Sequence, residues 1–174
     1  MQAKTRHRLL LFIDATVGPR GAALGVAIKD EGGRLVGWRG KSLGLMTINE
    51  AEYEALIYAL NLALERGVRD VRVFSDSKVV VEQMAGIIRV HHDSLKRQHT
   101  RARAAAARLS SVSFTHIPRE LNVLADAMAE EALLSGRLRR LLDAPYPHVP
   151  AISEAAPEEA PEEAPEESTR CSSS

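Results

Sequence analysis

The sequence predicts an α/β domain, a five-stranded mixed sheet whose first three strands run antiparallel, with helices flanking it. Three observations carry that reading. Three strand-like runs come first, separated only by turn residues. Two further strand-like runs then alternate with segments of helical period. Strands first, then strands and helices in alternation, is the order of a mixed sheet with helices packed against it.

Residues 8–14 contain the apolar run Leu9-Leu10-Leu11-Phe12-Ile13 and read as a buried strand ending at Asp14. After a break at Gly18, Pro19 and Gly21, residues 24–29 read as a second strand. Asp30-Glu31-Gly32-Gly33 supplies a hairpin turn, and residues 34–42 return as the third strand. Residues 48–66 form the clearest helix. Ala55, Leu56, Ala59, Leu60, Leu62 and Ala63 share one face, while Glu50, Glu54, Asn61 and Glu65 share the other. Gly67 is placed to end it. Residues 71–75 are the fourth strand, followed by a short helix over 77–85 that Gly86 breaks. A basic helix over 93–109, a fifth strand over 112–116 and a final helix over 121–134 complete the domain.

The 174-residue chain has no formal net charge, but its charges are divided unevenly. Residues 1–142 carry 22 Lys and Arg against 15 Asp and Glu, and residues 143–174 carry one Arg against eight acids. A basic body suggests a polyanionic partner. Residues 1–142 are therefore read as one domain. Residues 143–174 are read as a disordered acidic tail, because Ala-Pro-Glu-Glu recurs at 156–159, 160–163 and 164–167 with little apolar surface to offset ordering. The single cysteine, Cys171, excludes an intramolecular disulfide and suggests a reducing, cytoplasmic setting. No apolar stretch approaches the roughly 18–20 residues of a membrane span, and Asp14 interrupts the first apolar run before it resembles a leader.

Four acids stand out. Asp14 and Asp76 each end a strand-like run. Glu52 lies four residues before Leu56 and eight before Leu60, on the inward stripe of its helix, where a carboxylate is costly unless paired or bound to a cation. Asp126 lies near the start of the last helix, sharing a face with Asn122. Carboxylates converging from separate elements repel one another unless hard divalent cations lie between them. Each acid also has an ordinary alternative. Glu52 can escape to solvent at the positive end of the helix dipole, Asp76 can cap a helix, and Asp126 can be a solvated helix acid.

The surrounding motifs add a resemblance. Phe12-Ile13-Asp14, Asn49-Glu50-Ala51-Glu52-Tyr53-Glu54-Ala55-Leu56, Phe74-Ser75-Asp76-Ser77 and the run from His116 to Asp126 follow in order. Over roughly residues 8–136 the chain resembles a type 1 ribonuclease H, in the compact form common in bacteria and archaea. The resemblance implies the ribonuclease H-like fold, with Asp14, Glu52, Asp76 and Asp126 as catalytic metal ligands. It implies two Mg²⁺ ions, or Mn²⁺ in their place. The reaction would be cleavage of the RNA strand of an RNA/DNA hybrid, leaving 5′-phosphate and 3′-hydroxyl ends, by a monomer that does not engage membranes.

His116 is then an accessory candidate for proton transfer or product release, or a strand-end histidine with a structural hydrogen bond. Asn49, Thr47, Asn122 and Arg119 are candidate substrate contacts. Thr47 is equally suited to cap the helix that carries Glu52, and Arg119 to form a surface ion pair with Glu120. Lys96, Arg97, Arg101 and Arg103 are placed to lie along phosphates or to form a solvated basic face. The segment Ala15-Thr16-Val17-Gly18-Pro19-Arg20-Gly21 departs from the Gly-rich, Asn-containing loop of relatives, and Ile48 replaces a common Asn. Both changes fall at expected RNA contacts. Two rival readings therefore stay open. One is a non-catalytic hybrid or double-stranded RNA binder of the same fold. The other is a related nuclease acting on double-stranded RNA or RNA–DNA junctions.

Overall fold

The structure is a computed structural model; it describes residues 8–143, and the side chains of residues 8–136. The strands are β1 (Arg8–Gly18), β2 (Gly21–Asp30), β3 (Leu35–Ser42), β4 (Asp70–Ser75) and β5 (Ser111–His116). The helices are α1 (Ile48–Glu65), α2 (Lys78–Met84), α3 (Asp93–Ala106) and α4 (Val123–Asp143), with a single 3₁₀ turn at Arg119–Leu121. The five strands form one sheet in the order β3-β2-β1-β4-β5. β1, β2 and β3 pair antiparallel, while β4 and β5 join parallel to β1 and to each other. The predicted mixed sheet with three antiparallel strands first is the observed one.

Alternation along the strands divides the sheet into two faces. Leu9, Leu11, Ile13, Leu24, Val26, Ile28, Val71 and Val73 bury themselves against Leu56, Leu60 and Ala63 of α1 in one core. Helix α1 starts with a capping box, in which Thr47 Oγ1 accepts from the Glu50 N–H and Glu50 Oε2 accepts from the Thr47 N–H. It ends where Gly67 takes φ +73°, with Gly67 N–H donating to Leu64 O and Val68 N–H to Ala63 O. The opposite face receives α4. At the amino ends of the two strands, Arg8 grips Asp70 with two bonds of 3.0 Å, tying the start of β1 to β4.

Two boundaries differ most from the sequence reading. β1 does not end at Asp14; it runs to Gly18, and the Gly/Pro break is a tight hairpin with Gly18 paired to Gly21 across Pro19-Arg20. The departure at 15–21 is thus mostly strand rather than an open loop. Helix α4 continues past residue 134 to Asp143. Ser135-Gly136 reads as punctuation, but the Arg- and Leu-rich residues that follow are good helix formers and carry the helix on. The tail beyond Asp143, with Cys171, lies outside the described residues. No helix among the described residues is long and apolar enough to cross a membrane.

Candidate metal centre

The last rung of the β1–β4 ladder is Phe12 beside Phe74, whose rings stack at 4.8 Å. Beyond it β4 ends at Ser75, while β1 continues paired with β2 alone. The strands therefore leave a notch at the carboxyl end of β4, the kind of place where open sheets hold ligands. Asp14 stands in this notch on β1, and Asp76 directly follows β4. Glu52 enters from α1, on the core side of the sheet. Oxygen atoms of Asp14, Glu52 and Asp76 all lie within 4.8 Å of one another.

Asp14 is 4% exposed and Glu52 6% exposed. Burial, then the charge of Asp76 and a hydrogen bond with Asp126, pushes the Asp14 carboxyl up to about 7. Burial, then the charges of Asp14 and Asp76, pushes Glu52 up to about 9. Glu52 Oε2 is buried without a hydrogen-bond partner, the arrangement a native core avoids unless something else satisfies it. Three hard oxygen donors, two of them buried and one orphaned, fit a divalent cation of the Mg²⁺ or Mn²⁺ type.

Asp126 is the fourth acid, and it arrives on α4 from the opposite face. Gly25 pairs with Asp14 on one side and with Gly40 on the other, so a row Asp14–Gly25–Gly40 crosses three strands. Helix α4 lies directly on the two glycines. A Cβ at Gly25 would stand 2.0 Å from Ala125 O, and one at Gly40 would stand 2.7 Å from Met128 O. Only glycine lets the helix backbone come this close, and that approach brings Asp126 to Asp14. Sequence reasoning missed both glycines, although an isolated Gly in a strand pattern signals close backbone approach.

Asp126 is held by Arg119, whose guanidinium donates to Asp126 Oδ1 at 2.7 Å. Asp126, then Asp14 and Asp76, holds the Arg119 guanidinium above its usual range, so this arginine is a cation facing the whole cluster. The alternative pairing with Glu120 is not the one that forms. His116 Nε2 lies 3.2 Å from the Asp76 carbonyl oxygen, a hydrogen bond for the tautomer protonated there. His116 is exposed beside the notch.

Asn122 departs from its expected place at the substrate. It is 1% exposed, and its amide nitrogen donates to Ile13 O at 2.8 Å and to Asp76 Oδ1 at 2.9 Å. Thr47 is exposed and closes the α1 cap, and Asn49 is half-buried in the first turn of α1. In the basic helix, Arg101 pairs with Glu54 and Lys96 with Asp93 at 2.8 Å, which ties half of that set to acids of the protein itself.

A family model described as reverse transcriptase-like matches residues 13–132. In three dimensions the chain is similar to RNase H1 from the halophilic archaeon Halobacterium salinarum, with a TM-score of 0.71 and 35% identity. The likeness covers 74% of this chain and 98% of that one. The chain belongs to the type 1 ribonuclease H family. Among curated relatives, the ribonuclease HI of Halobacterium salinarum is 38% identical over 115 residues, 66% of this chain. The chain spans just over half of that relative, 58% of its length. LC11-RNase H1, solved in complex with an RNA/DNA hybrid, is 32% identical with a TM-score of 0.69, over 74% of this chain and 99% of that one. For a ribonuclease H, the notch at the end of β4 with its converging acids is the candidate centre.

Proposed function

We propose that the protein is a metal-dependent endonuclease that hydrolyses the RNA strand of RNA/DNA hybrids, leaving 5′-phosphate and 3′-hydroxyl ends. The observation that carries this reading is the meeting of Asp14, Glu52 and Asp76 within 4.8 Å, with Glu52 Oε2 buried and unpartnered. The likeness to LC11-RNase H1, solved on a hybrid, supports the substrate. Asp14, Glu52 and Asp76 would hold two Mg²⁺ ions, or Mn²⁺ in their place, with Asp126 completing the set once Arg119 releases it. Such cations supply Lewis-acid stabilisation of charge at a phosphodiester.

The chain's own residues set the rest. Asn122 holds Asp76 to the β1 backbone, so the acids keep their spacing while a duplex docks. Arg119, 68% exposed at its side chain, is free to swing from Asp126 toward a phosphate. His116, exposed and tethered to the Asp76 backbone, would have an accessory role in proton transfer or product release. Asn49 at the start of α1 reads as a contact to the minor-groove face of the hybrid, where 2′-hydroxyls are displayed. A monomeric enzyme is part of this reading, and so is a cytoplasmic setting, the latter on the strength of the lone Cys171.

The test is cleavage of an end-labelled RNA/DNA hybrid in Mg²⁺ or Mn²⁺, with double-stranded RNA and DNA duplex alongside. RNA-strand cutting only in the hybrid, lost in Asp14→Asn and Asp76→Asn, is the expected result. Hybrid binding without cutting in either metal would replace the enzyme with a binding module. Cutting of double-stranded RNA would move the specificity to a related nuclease.

A further inference from the structure

Glu52 of the centre stands beside a residue that bonds to α2, the helix following Asp76. Tyr53 follows Glu52 on α1, and Gln83 lies on α2, the helix that begins two residues after Asp76. Tyr53 Oη donates to Gln83 Oε1 at 2.8 Å, with Tyr53 fully buried and Gln83 6% exposed. The edge-to-face contact of Tyr53 with the His99 ring, at 6.3 Å and 90°, places the same side chain at the junction with α3.

Helix α2 is tied at its start, where the Ser77 N–H donates to Ser75 Oγ at 3.0 Å and Asn122 and His116 hold Asp76, while Gln83 lies near its other end. It is seven residues long, and its N-cap, Ser77, makes no side-chain capping bond. Its buried surface is otherwise the apolar set Val80, Val81 and Met84, which packs without a directional bond. A buried hydrogen bond is directional and weakens steeply with misalignment, and the low local dielectric strengthens it. The oxygens of Asp14, Glu52 and Asp76 come within 4.8 Å of one another from β1, α1 and the residue after β4, so the spacing of α1 and α2 bears on their approach.

We propose that Tyr53 and Gln83 are a positioning pair: their hydrogen bond sets the spacing between the α1 turn that carries Glu52 and helix α2, which follows Asp76, and thereby the affinity of the centre for a divalent cation. The proposal rests on the reading of Asp14, Glu52 and Asp76 as a cation site. Neither residue belongs to the acid group; Tyr53 acts through the adjoining Glu52, and Gln83 through the helix that follows Asp76.

The experiment is a Mg²⁺ titration of the full chain without nucleic acid, followed by the rise in melting temperature. Tyr53→Phe keeps the ring and its packing and removes only the hydroxyl. Gln83→Met removes the acceptor from the α2 side, independently of the tyrosine. Leu64→Ala, about three turns further along α1, is the control for stability lost away from the centre. Tyr53→Phe and Gln83→Met are each expected to weaken Mg²⁺ binding on the order of tenfold, and the double variant no further, because both remove one bond. Leu64→Ala is expected to melt earlier and bind Mg²⁺ like wild type. Wild-type affinity in Tyr53→Phe or Gln83→Met overturns the proposal, as does an equal loss in Leu64→Ala. Wild-type binding of Mg²⁺ that is absent, or unchanged by Glu52→Gln, overturns the cation site itself and this inference with it.

Discussion

The Asn122 amide nitrogen lies 2.9 Å from Asp76 Oδ1 and 2.8 Å from the Ile13 carbonyl oxygen, so one side chain joins the two strands that diverge at the centre. The β1–β4 ladder stops one residue earlier, at Phe12–Phe74, and would otherwise leave that carbonyl without a neighbour on the β4 side. Asn122 thus replaces a missing ladder rung and orients an acid at the same time. Asn122→Ala is expected to lower stability by about 1–3 kcal/mol, because a buried acceptor loses its donor. Hybrid cleavage is expected to fall ten- to a hundredfold, roughly the effect of removing a partner that orients a metal ligand. Urea denaturation beside steady-state cleavage checks both. Unchanged cleavage at lowered stability would reduce Asn122 to a strut.

The buried acids make stability depend on pH in a stated direction. Asp14 rises from 3.8 to about 7 and Glu52 from 4.5 to about 9 in the folded chain. Between those values the folded state holds protons that the unfolded state has released, so the unfolding free energy falls as pH rises. The contribution of both groups is whole below about pH 4 and is lost as pH climbs through about 7 and then about 9. Metal-free protein is therefore expected to melt at progressively lower temperature across that window. Added Mg²⁺ should reverse the trend, with a shift that grows with pH because cations and protons compete for the same oxygens. Glu52→Gln is expected to flatten the upper part of the curve. A metal-free melting temperature that rises across the window would contradict this picture of the acids.

Gly25 and Gly40 let α4 lie on the sheet, and they are not equivalent. At Gly25 the obstructing atoms are helix backbone 2.0 Å and 2.6 Å away; at Gly40 the nearest is 2.7 Å away. Gly40→Ala is expected to cost about 1–3 kcal/mol as α4 lifts, and to reduce cleavage as Asp126 withdraws from Asp14. Gly25→Ala should cost more than Gly40→Ala, since its Cβ overlaps helix backbone more deeply, at 2.0 Å and 2.6 Å against 2.7 Å. Guanidinium unfolding of the two variants ranks them, and a reversed order would mean that α4 is held elsewhere.

Arg119 competes with cations for the acids. Removing it in Arg119→Ala leaves Asp126 without its 2.7 Å partner and makes the cluster more negative. Mg²⁺ affinity without nucleic acid is expected to rise about two- to fivefold at low salt, the modest scale of exposed ion pairs, and the gain to shrink at high salt. Cleavage is expected to fall in the same variant, because the phosphate contact proposed for Arg119 would be lost. Unchanged Mg²⁺ affinity would show that Arg119 does not bear on the cation-binding oxygens.

The sheet was legible because its signals are local. Leu9, Leu11 and Ile13 alternate with Leu10 and Phe12, and the period of α1 brings Ala55, Leu56, Ala59 and Leu60 to one side. The acids were legible from an inward-facing Glu52 and from Asp14 and Asp76 at strand ends, helped by motifs in a familiar order. Boundaries were less so: Asp14 looked terminal because a polar residue usually closes an apolar run, whereas pairing with β2 carries β1 on to Gly18.

By itself the sequence determined the element order, the apolar face of each element and which four acids to suspect, since these follow from short-range periodicity and residue chemistry. Only the tertiary structure decided that Asn122 turns inward to Asp76, that Arg119 takes Asp126 rather than Glu120, and that Gly25 and Gly40 seat α4. It also decided that Tyr53 meets Gln83, thirty positions away. The physical reason is the same each time. A hydrogen bond, an ion pair or a backbone contact acts over a few ångströms, and strand pairing and helix packing determine which distant residues come within that reach.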